Sequence, residues 1–388
     1  MTEKPIHVLH VSKSTGGVGQ YLSTLVNHLD KEKFRVTAVC LSDGSDELAA
    51  KLSKVDGVRA YSLQMNRYKI NPFSDAQVLF YLARMIRQDN FDLIHAHTSK
   101  PGFLARTASL GSGVPTIYRP ACFSFHDGQP KWKAYLYAMI ERSAARWLTE
   151  KILVVCDDEQ KLAGRYHVGS DQQFCTVHTG MDLARFDQQV DRSSVRASLG
   201  IPDSVFLIGT VGRLSLQKAP SDFITAAAKV HQVHPQTHFV WVGDGELMAE
   251  SQELVRTLNL TEVFHFANHR NDISNVLKSM DCFVLASHWE GFSLSVLEAM
   301  ASGLPVIVTR VSGADEAVLD GVNGHVVPIG DIKAIADAMS DMIVNPRVAE
   351  EFGKNGRRRM EQKFTVKRMV NDIESLYKQV VADANKIV

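Results

Sequence analysis

A chain of 388 residues is too long for one typical hydrophobic core, and at roughly 150 residues per domain it implies two domains with a remainder. Lysine plus arginine equals aspartate plus glutamate at 43 each, so no net field calls for nucleic acid as a partner. The five cysteines are odd in number, contain no CxxC and sit mostly in apolar strand-like runs, which suits reduced thiols in a cytoplasmic protein. No signal-peptide core and no run of about 18 apolar residues occurs.

Short apolar runs alternate with helical patterns from the start, with strands expected at 6–11, 35–41, 58–63, 93–96, 116–118, 151–155 and 174–178. The rhythm restarts with strands at 205–211, 238–242, 263–266, 282–286, 306–309 and 325–327. Repeated strand-helix units predict parallel sheets with helices on both faces, in two domains that meet near residues 180–200. The tail from 364 to about 384 has Met369, Ile373, Leu376 and Val380 on one helical face.

After the first strand, Ser14-Thr-Gly-Gly-Val-Gly19 opens a helix with a tight turn that also lets backbone approach an anion. Leu22 stands where a GxGxxG motif read from Gly17 needs its third glycine, and no GK[ST] follows. Both facts argue against a nicotinamide oxidoreductase or a P-loop enzyme. His95 and His97 lie two apart in a strand, a pair on one face with no third ligand nearby. Without HExxH or a zinc-type Cys and His spacing, no metal is expected.

Residues 131–148, KWKAYLYAMIERSAARWL, place Trp132, Leu136, Met139 or Ile140 and Trp147 at helical spacing, with Lys131, Lys133, Arg142 and Arg146 near the ends. Such a stripe either packs in the first domain or faces a membrane or lipid acceptor. Asp157 and Gln160 fit a helix capping box better than a metal site.

In the second half, Arg213 and Lys218 follow the strand 205–211, five residues apart. Fixed cations there stabilise the negative charge that grows on a departing diphosphate as a glycosidic bond breaks. Gly243 and Gly245 form a strand-to-helix turn open to close approach, and His269 and Arg270 follow the strand 263–266, with Asp272 as an N-cap. The most informative stretch is 281–308: a strand, a loop holding Glu290, a helix beginning near Ser293, and another strand. Glu290 falls at the strand's carboxyl end and Glu298 more than one turn inside the helix. Gly291 admits a ligand to the backbone, and the N–H groups around Phe292, Ser293, Leu294 and Ser295 point to where a phosphate would lie. Sugar hydroxyls ask for fixed acceptors and a diphosphate asks for donors; a nucleotide sugar has both. By itself, Glu298 is equally a good helix former near a helix start.

Glu, seven residues, Glu, with glycine after the first and EAMASGLPVI following, resembles the signature of the retaining glycosyltransferases of family 4 (glycosyl transferases group 1). The resemblance runs from Val8 almost to the end. It implies an α/β GT-B fold, two Rossmann-like domains with parallel sheets facing across a cleft. Here these would be 1–184 for the acceptor and 185–363 for the donor, with a helix at 364–388 returning to the first domain. The resemblance places Glu290 on the donor sugar, Glu298 on the nucleotide ribose, and Arg213 and Lys218 on the diphosphate. It makes Gly16 and Gly17 a glycine loop over that diphosphate and brings His269 and Arg270 to the nucleobase. One segment departs: RPACFSF at 119–125 stands where the family usually reads TPHGFSF, so Ala121 and Cys122 replace its His and Gly. His126 is the candidate substitute.

The activity implied is retaining transfer of a hexosyl or N-acetylhexosaminyl group from a nucleotide donor, expected to be a UDP-sugar, to a hydroxyl acceptor. The acceptor expected is a glycan or polyprenyl-linked glycan of surface polysaccharide synthesis (capsule, exopolysaccharide or lipopolysaccharide). The expected place is the cytosolic membrane face, with peripheral contact and no metal cofactor. A GT-B sugar-nucleotide epimerase, or a catalytically weak nucleotide-binding relative acting as a partner protein, is the alternative.

Overall fold

The computed structural model describes residues 4–44, 46–66 and 71–386, so the first three residues of the amino-terminal stretch lie outside it. The chain divides into two compact units, Met1–Gly180 with Val366–Val388, and Met181–Thr365.

The first unit runs β1 (Ile6–Lys13), α1 (Gly16–His28), β2 (Phe34–Ser42), α2 (Glu47–Leu52), β3 (Val58–Gln64), α3 (Pro72–Gln88) and β4 (Leu93–His97). It continues with α4 (Ser99–Ala108), β5 (Thr116–Arg119), α5 (Lys131–Leu148), β6 (Lys151–Val154), α6 (Asp157–Arg165) and β7 (Phe174–Thr176). Its strands are parallel in the order β3-β2-β1-β4-β5-β6-β7, so the winding reverses between β1 and β4. Strands such as β2, whose AVCL at 38–41 is buried on both faces, read for that reason as continuous apolar runs rather than alternating ones.

The second unit repeats the plan: α7 (Arg192–Ser198), β8 (Phe206–Val211), α8 (Pro220–Val233), β9 (Thr237–Val242), α9 (Met248–Thr257), β10 (Phe264–Phe266) and α10 (Ile273–Ser279). There follow β11 (Cys282–Leu285), α11 (Leu294–Ala301), β12 (Val306–Thr309), α12 (Ala314–Ala317), β13 (Gly324–Val327), α13 (Ile332–Val344) and α14 (Pro346–Lys363). The order β10-β9-β8-β11-β12-β13, again parallel, reverses between β8 and β11. In sheets of this kind ligands gather outside the carboxyl ends of the strands at such a reversal.

The last helix, α15 (Val366–Asn385), joins the first unit. Its stripe of Val366, Met369, Val370, Ile373, Leu376, Tyr377 and Val380 is buried in the cluster that includes Val8, Leu22 and Val36, as its period suggests.

The structure rules out one of the two readings of the α5 stripe, packing in the first domain, and overturns the capping box. Helix α5 buries only Ala134, Ala138, Glu141, Ala144 and Ala145, while Trp132 and Trp147 are 67% and 72% exposed and Tyr135, Leu136, Met139 and Ile140 also face solvent. The alanines let α5 lie close to its neighbours, and a buried ion pair, Arg106 Nη2 to Glu141 Oε2 at 2.8 Å, holds it there. The apolar stripe is therefore the outside of this helix. Nor do Asp157 and Gln160 make a capping box: Asp157 accepts from the Thr176 hydroxyl at 2.9 Å, and Glu159 takes the Val155 N–H at 3.0 Å. The box belongs to Ser170 and Gln173 instead.

Candidate active site

In the second unit the carboxyl ends of β8 and β11 lie side by side, with Ile208 beside Cys282 and Gly209 beside Phe283. The chain leaving β8 carries Arg213 and then a short 3-10 turn, Leu216–Lys218; the chain leaving β11 carries Glu290. Lys218 Nζ lies 2.6 Å from Glu290 Oε1, forming an ion pair with side chains 16% and 9% exposed. Ser287 Oγ donates to the same oxygen at 2.8 Å, and Gln217 Nε2 donates to Oε2 at 3.3 Å and to the Trp289 carbonyl at 3.0 Å. Three donors from two strand ends thus fix one carboxylate, the condition for aiming it at a substrate hydroxyl.

A second layer fixes the donors. Thr309 Oγ1 donates to the Ser287 carbonyl at 2.6 Å, and the His288 N–H donates to the Gln217 carbonyl at 2.8 Å. The His288 ring meets Asp222 of α8 at 2.8 Å through Nε2. Ser287 and Gln217 escaped the sequence reading, although each lies within three residues of a residue it singled out. Nothing local signalled Asp222.

Glu298 is buried in α11, one turn in from Leu294. Helix α11 is enclosed, all its residues from Ser295 to Ala301 being buried, and is apolar apart from Ser295 and Glu298. Ser293 occupies its N-cap position without a side-chain cap; its hydroxyl meets that of Ser295 at 3.1 Å. The first-turn N–H groups, which no intrahelical carbonyl can take, open beside Gly291 and Phe292.

Gly243 and Gly245 pack the turn after β9 against the segment carrying Arg213. A Cβ on Gly243 would stand 2.3 Å from the Gly212 carbonyl oxygen, and one on Gly245 2.1 Å from that of Leu214, so neither position accepts a side chain. Arg213 itself is half-exposed, its Nε 3.9 Å from a Glu246 oxygen.

His269 is exposed in the loop after β10, and Arg270 is turned onto Asp272 by bonds of 2.8 and 2.7 Å. Asp272 sits at the N-cap position of α10 but makes no side-chain cap, because Arg270 occupies its carboxylate. That contact holds the Arg270 pKa up and that of Asp272 down.

The remaining candidates belong to the first unit. Gly16 and Gly17 form the first turn of α1 behind β1. His126 is half-buried after β5, its Nδ1 accepting from the Gly128 N–H at 3.2 Å, which leaves the proton on Nε2; burial lowers its pKa. Ala121 and Cys122 take φ of 59° and 149°, backbone that favours glycine. The pair His95 and His97 does have a third neighbour, contrary to the sequence reading: His10 of β1, with Nδ1 3.1 Å from His97 Nε2. Parallel pairing of β1 with β4 brings it there.

Two doubly wound parallel units and a last helix that returns to the first define the GT-B class. The whole chain is similar to the crystal structure of Anabaena Alr3699/HepE in complex with UDP and glucose, with a TM-score of 0.81 at 20% identity over 96% of this chain and 100% of that one. The sequence pattern of glycosyl transferases group 1 matches residues 191–359, and that of the glycosyl transferase 4-like domain residues 16–180. The UDP-Gal:alpha-D-GlcNAc-diphosphoundecaprenol alpha-1,3-galactosyltransferase of Escherichia coli is 30% identical over 360 residues, covering 92% of each chain. The capsular polysaccharide biosynthesis glycosyltransferase CapM of Staphylococcus aureus is 25% identical over 97% of each. The chain belongs to the group 1 glycosyltransferases, and its activity is glycosyl transfer.

Proposed function

We propose that this enzyme moves a sugar, with retention at its anomeric carbon, from a UDP-sugar to a hydroxyl of a lipid-linked glycan in surface polysaccharide synthesis, and that the step needs no bound metal. The observation that carries the reading is the Glu290 carboxylate held by Lys218, Gln217 and Ser287 at the strand reversal of the second unit, beside the start of α11. A diphosphate there meets Lys218, Arg213 and helix N–H groups, and the sugar hydroxyls meet Glu290. Glu298 takes the ribose, the loop at His269 and Arg270 takes the base, and Gly243 and Gly245 leave room for backbone to approach. As the bond to the diphosphate breaks, its growing charge is stabilised by fixed donors, and a leaving oxygen takes the acceptor proton on the same face of the sugar. Glu290 positions the sugar in this scheme. In the first unit, the family resemblance assigns Gly16 and Gly17 to the diphosphate and His126 to the sugar.

The lipid-linked acceptor is supported by the diphosphoundecaprenol acceptor that the E. coli relative's name carries and by the outward face of α5. No helix among the described residues is long and apolar enough to cross a membrane. Trp132, Tyr135, Leu136, Met139, Ile140 and Trp147, with Lys131, Lys133 and Arg146, make α5 a surface for peripheral contact with the anionic cytosolic leaflet.

A thermal-shift screen over nucleotide sugars tests the donor: a UDP-sugar at a hundred times its dissociation constant stabilises by about 2.7 kcal/mol, and the Glu290→Ala chain loses preference among the sugars. An inverted anomeric product by NMR refutes retention, and product formation undiminished in His126→Ala removes His126 from the site. Flotation with phosphatidylglycerol vesicles tests the surface; binding equal in Trp132→Ala/Trp147→Ala and the parent chain excludes α5.

A further inference from the structure

We propose that His10, His95 and His97 form a buried transition-metal site, for zinc or an ion of similar preference, that ties the central strands of the first unit to its carboxyl-terminal helix. His10 and His95 are register partners on β1 and β4, and His97, two residues on, shares their face. His10 Nδ1 is 3.1 Å from His97 Nε2, and the rings of His95 and His97 stack with centroids 4.0 Å apart. One ring nitrogen from each lies within 4.8 Å of the other two, so small rotations about the side-chain bonds bring three nitrogens onto one ion.

All three side chains are completely buried. Each keeps a ring nitrogen with no partner among the described residues: His10 Nε2, His95 Nε2 and His97 Nδ1. Buried polar atoms are almost always paired, so unpartnered nitrogens here ask for a partner; the closest pair, His10 Nδ1 and His97 Nε2, shares one proton, which an ion taken between them displaces to solvent. Burial also keeps the imidazoles neutral, pushing His10 down to about 3 and the other two well below the usual range, and neutral imidazole is the form that ligates.

On α15, Tyr377 lies with its hydroxyl 2.6 Å from His95 Nδ1. It accepts that N–H and leaves Nε2 as the ligand, the arrangement in which a second partner orients a metal-bound histidine. Tyr21 of α1, whose ring lies 5.9 Å from that of His97 and whose hydroxyl also lacks a partner, supplies an oxygen for a fourth position. Arg119, stacked on the Tyr21 ring at 3.6 Å, opposes added positive charge. Three nitrogens against a single oxygen, with Arg119 alongside, do not suit magnesium or calcium, which take oxygen ligands. None of these residues belongs to the donor machinery of the second unit, so the site stands or falls apart from the transfer reaction.

Tag-free full-length protein grown with added zinc is expected to retain one zinc per chain by elemental analysis. Chelation should lower its melting temperature, and His10→Gln and His95→Gln should each lose the metal. Zinc-free parent protein whose melting point ignores both zinc and chelator overturns the proposal and leaves buried water as the partner of these nitrogens; zinc retained in both variants also overturns it. Should the variants not fold, X-ray absorption of the zinc-loaded parent decides: three imidazole ligands support the site, and a sulfur-ligated or all-oxygen shell ends it.

Discussion

Each unit contains an ion pair of nearly the same length, Arg106 with Glu141 at 2.8 Å in the first and Lys218 with Glu290 at 2.6 Å in the second. The first is sealed. Arg106 spends its Nε on the Gly102 carbonyl and its face on the Tyr118 ring at 3.7 Å, and the other Glu141 oxygen takes the Tyr118 hydroxyl at 3.0 Å. The second stands at a strand reversal, between glycine turns and a helix start, with half-exposed Arg213 on the segment leading to it. Length and burial alone do not separate a pair that holds a helix from one that handles a substrate. What surrounds the pair does.

The largest effect that would test this contrast is Glu141→Ala, which strands Arg106 in the core and should cost ~3–5 kcal/mol in urea unfolding. Lys218→Met or Glu290→Gln should instead lower turnover roughly a hundredfold or more while moving the urea midpoint less. Equal losses of stability in the two units would erase the distinction.

Acid sharpens it next. His10, His95 and His97 are neutral in the folded first unit because burial lowers their pKa values, whereas the unfolded chain takes up protons below about 6.5. The unfolded state therefore binds more protons there, so stability is full above that pH and falls on acidification. In zinc-free protein the loss continues, for His10, towards pH 3. Urea titrations at pH 7 and 5.5 should show the decline, and His95→Gln should flatten it. The smallest effect has the opposite sign. Ala219 in the second unit and Ala121 in the first hold φ of 48° and 59°, so Ala219→Gly and Ala121→Gly should each raise stability by about 1 kcal/mol in the same assay.

Much of this was legible locally. Glu290 could be placed in a loop, and Glu298 inside a helix, from a strand run, a glycine and a 3.6-residue period within residues 281–308. The buried stripe of α15 followed from its own spacing, because an amphipathic period declares which side is apolar. For α5 the spacing marked the stripe but left its side open: alanines and Glu141 took the inside, since close approach to the neighbouring helix required small side chains.

The sequence by itself determined the alternation of strand and helix, the parallel sheets and the residue types at the strand ends, because hydrophobic period and turn chemistry act over a few residues. Only the tertiary structure decided that His10 meets a histidine 87 positions away, that Ser287, Gln217 and Lys218 converge on one carboxylate, and that Asp157 takes a hydroxyl from Thr176. Those meetings depend on which strands lie side by side and in what register, and a local pattern of apolar residues is the same for many such arrangements.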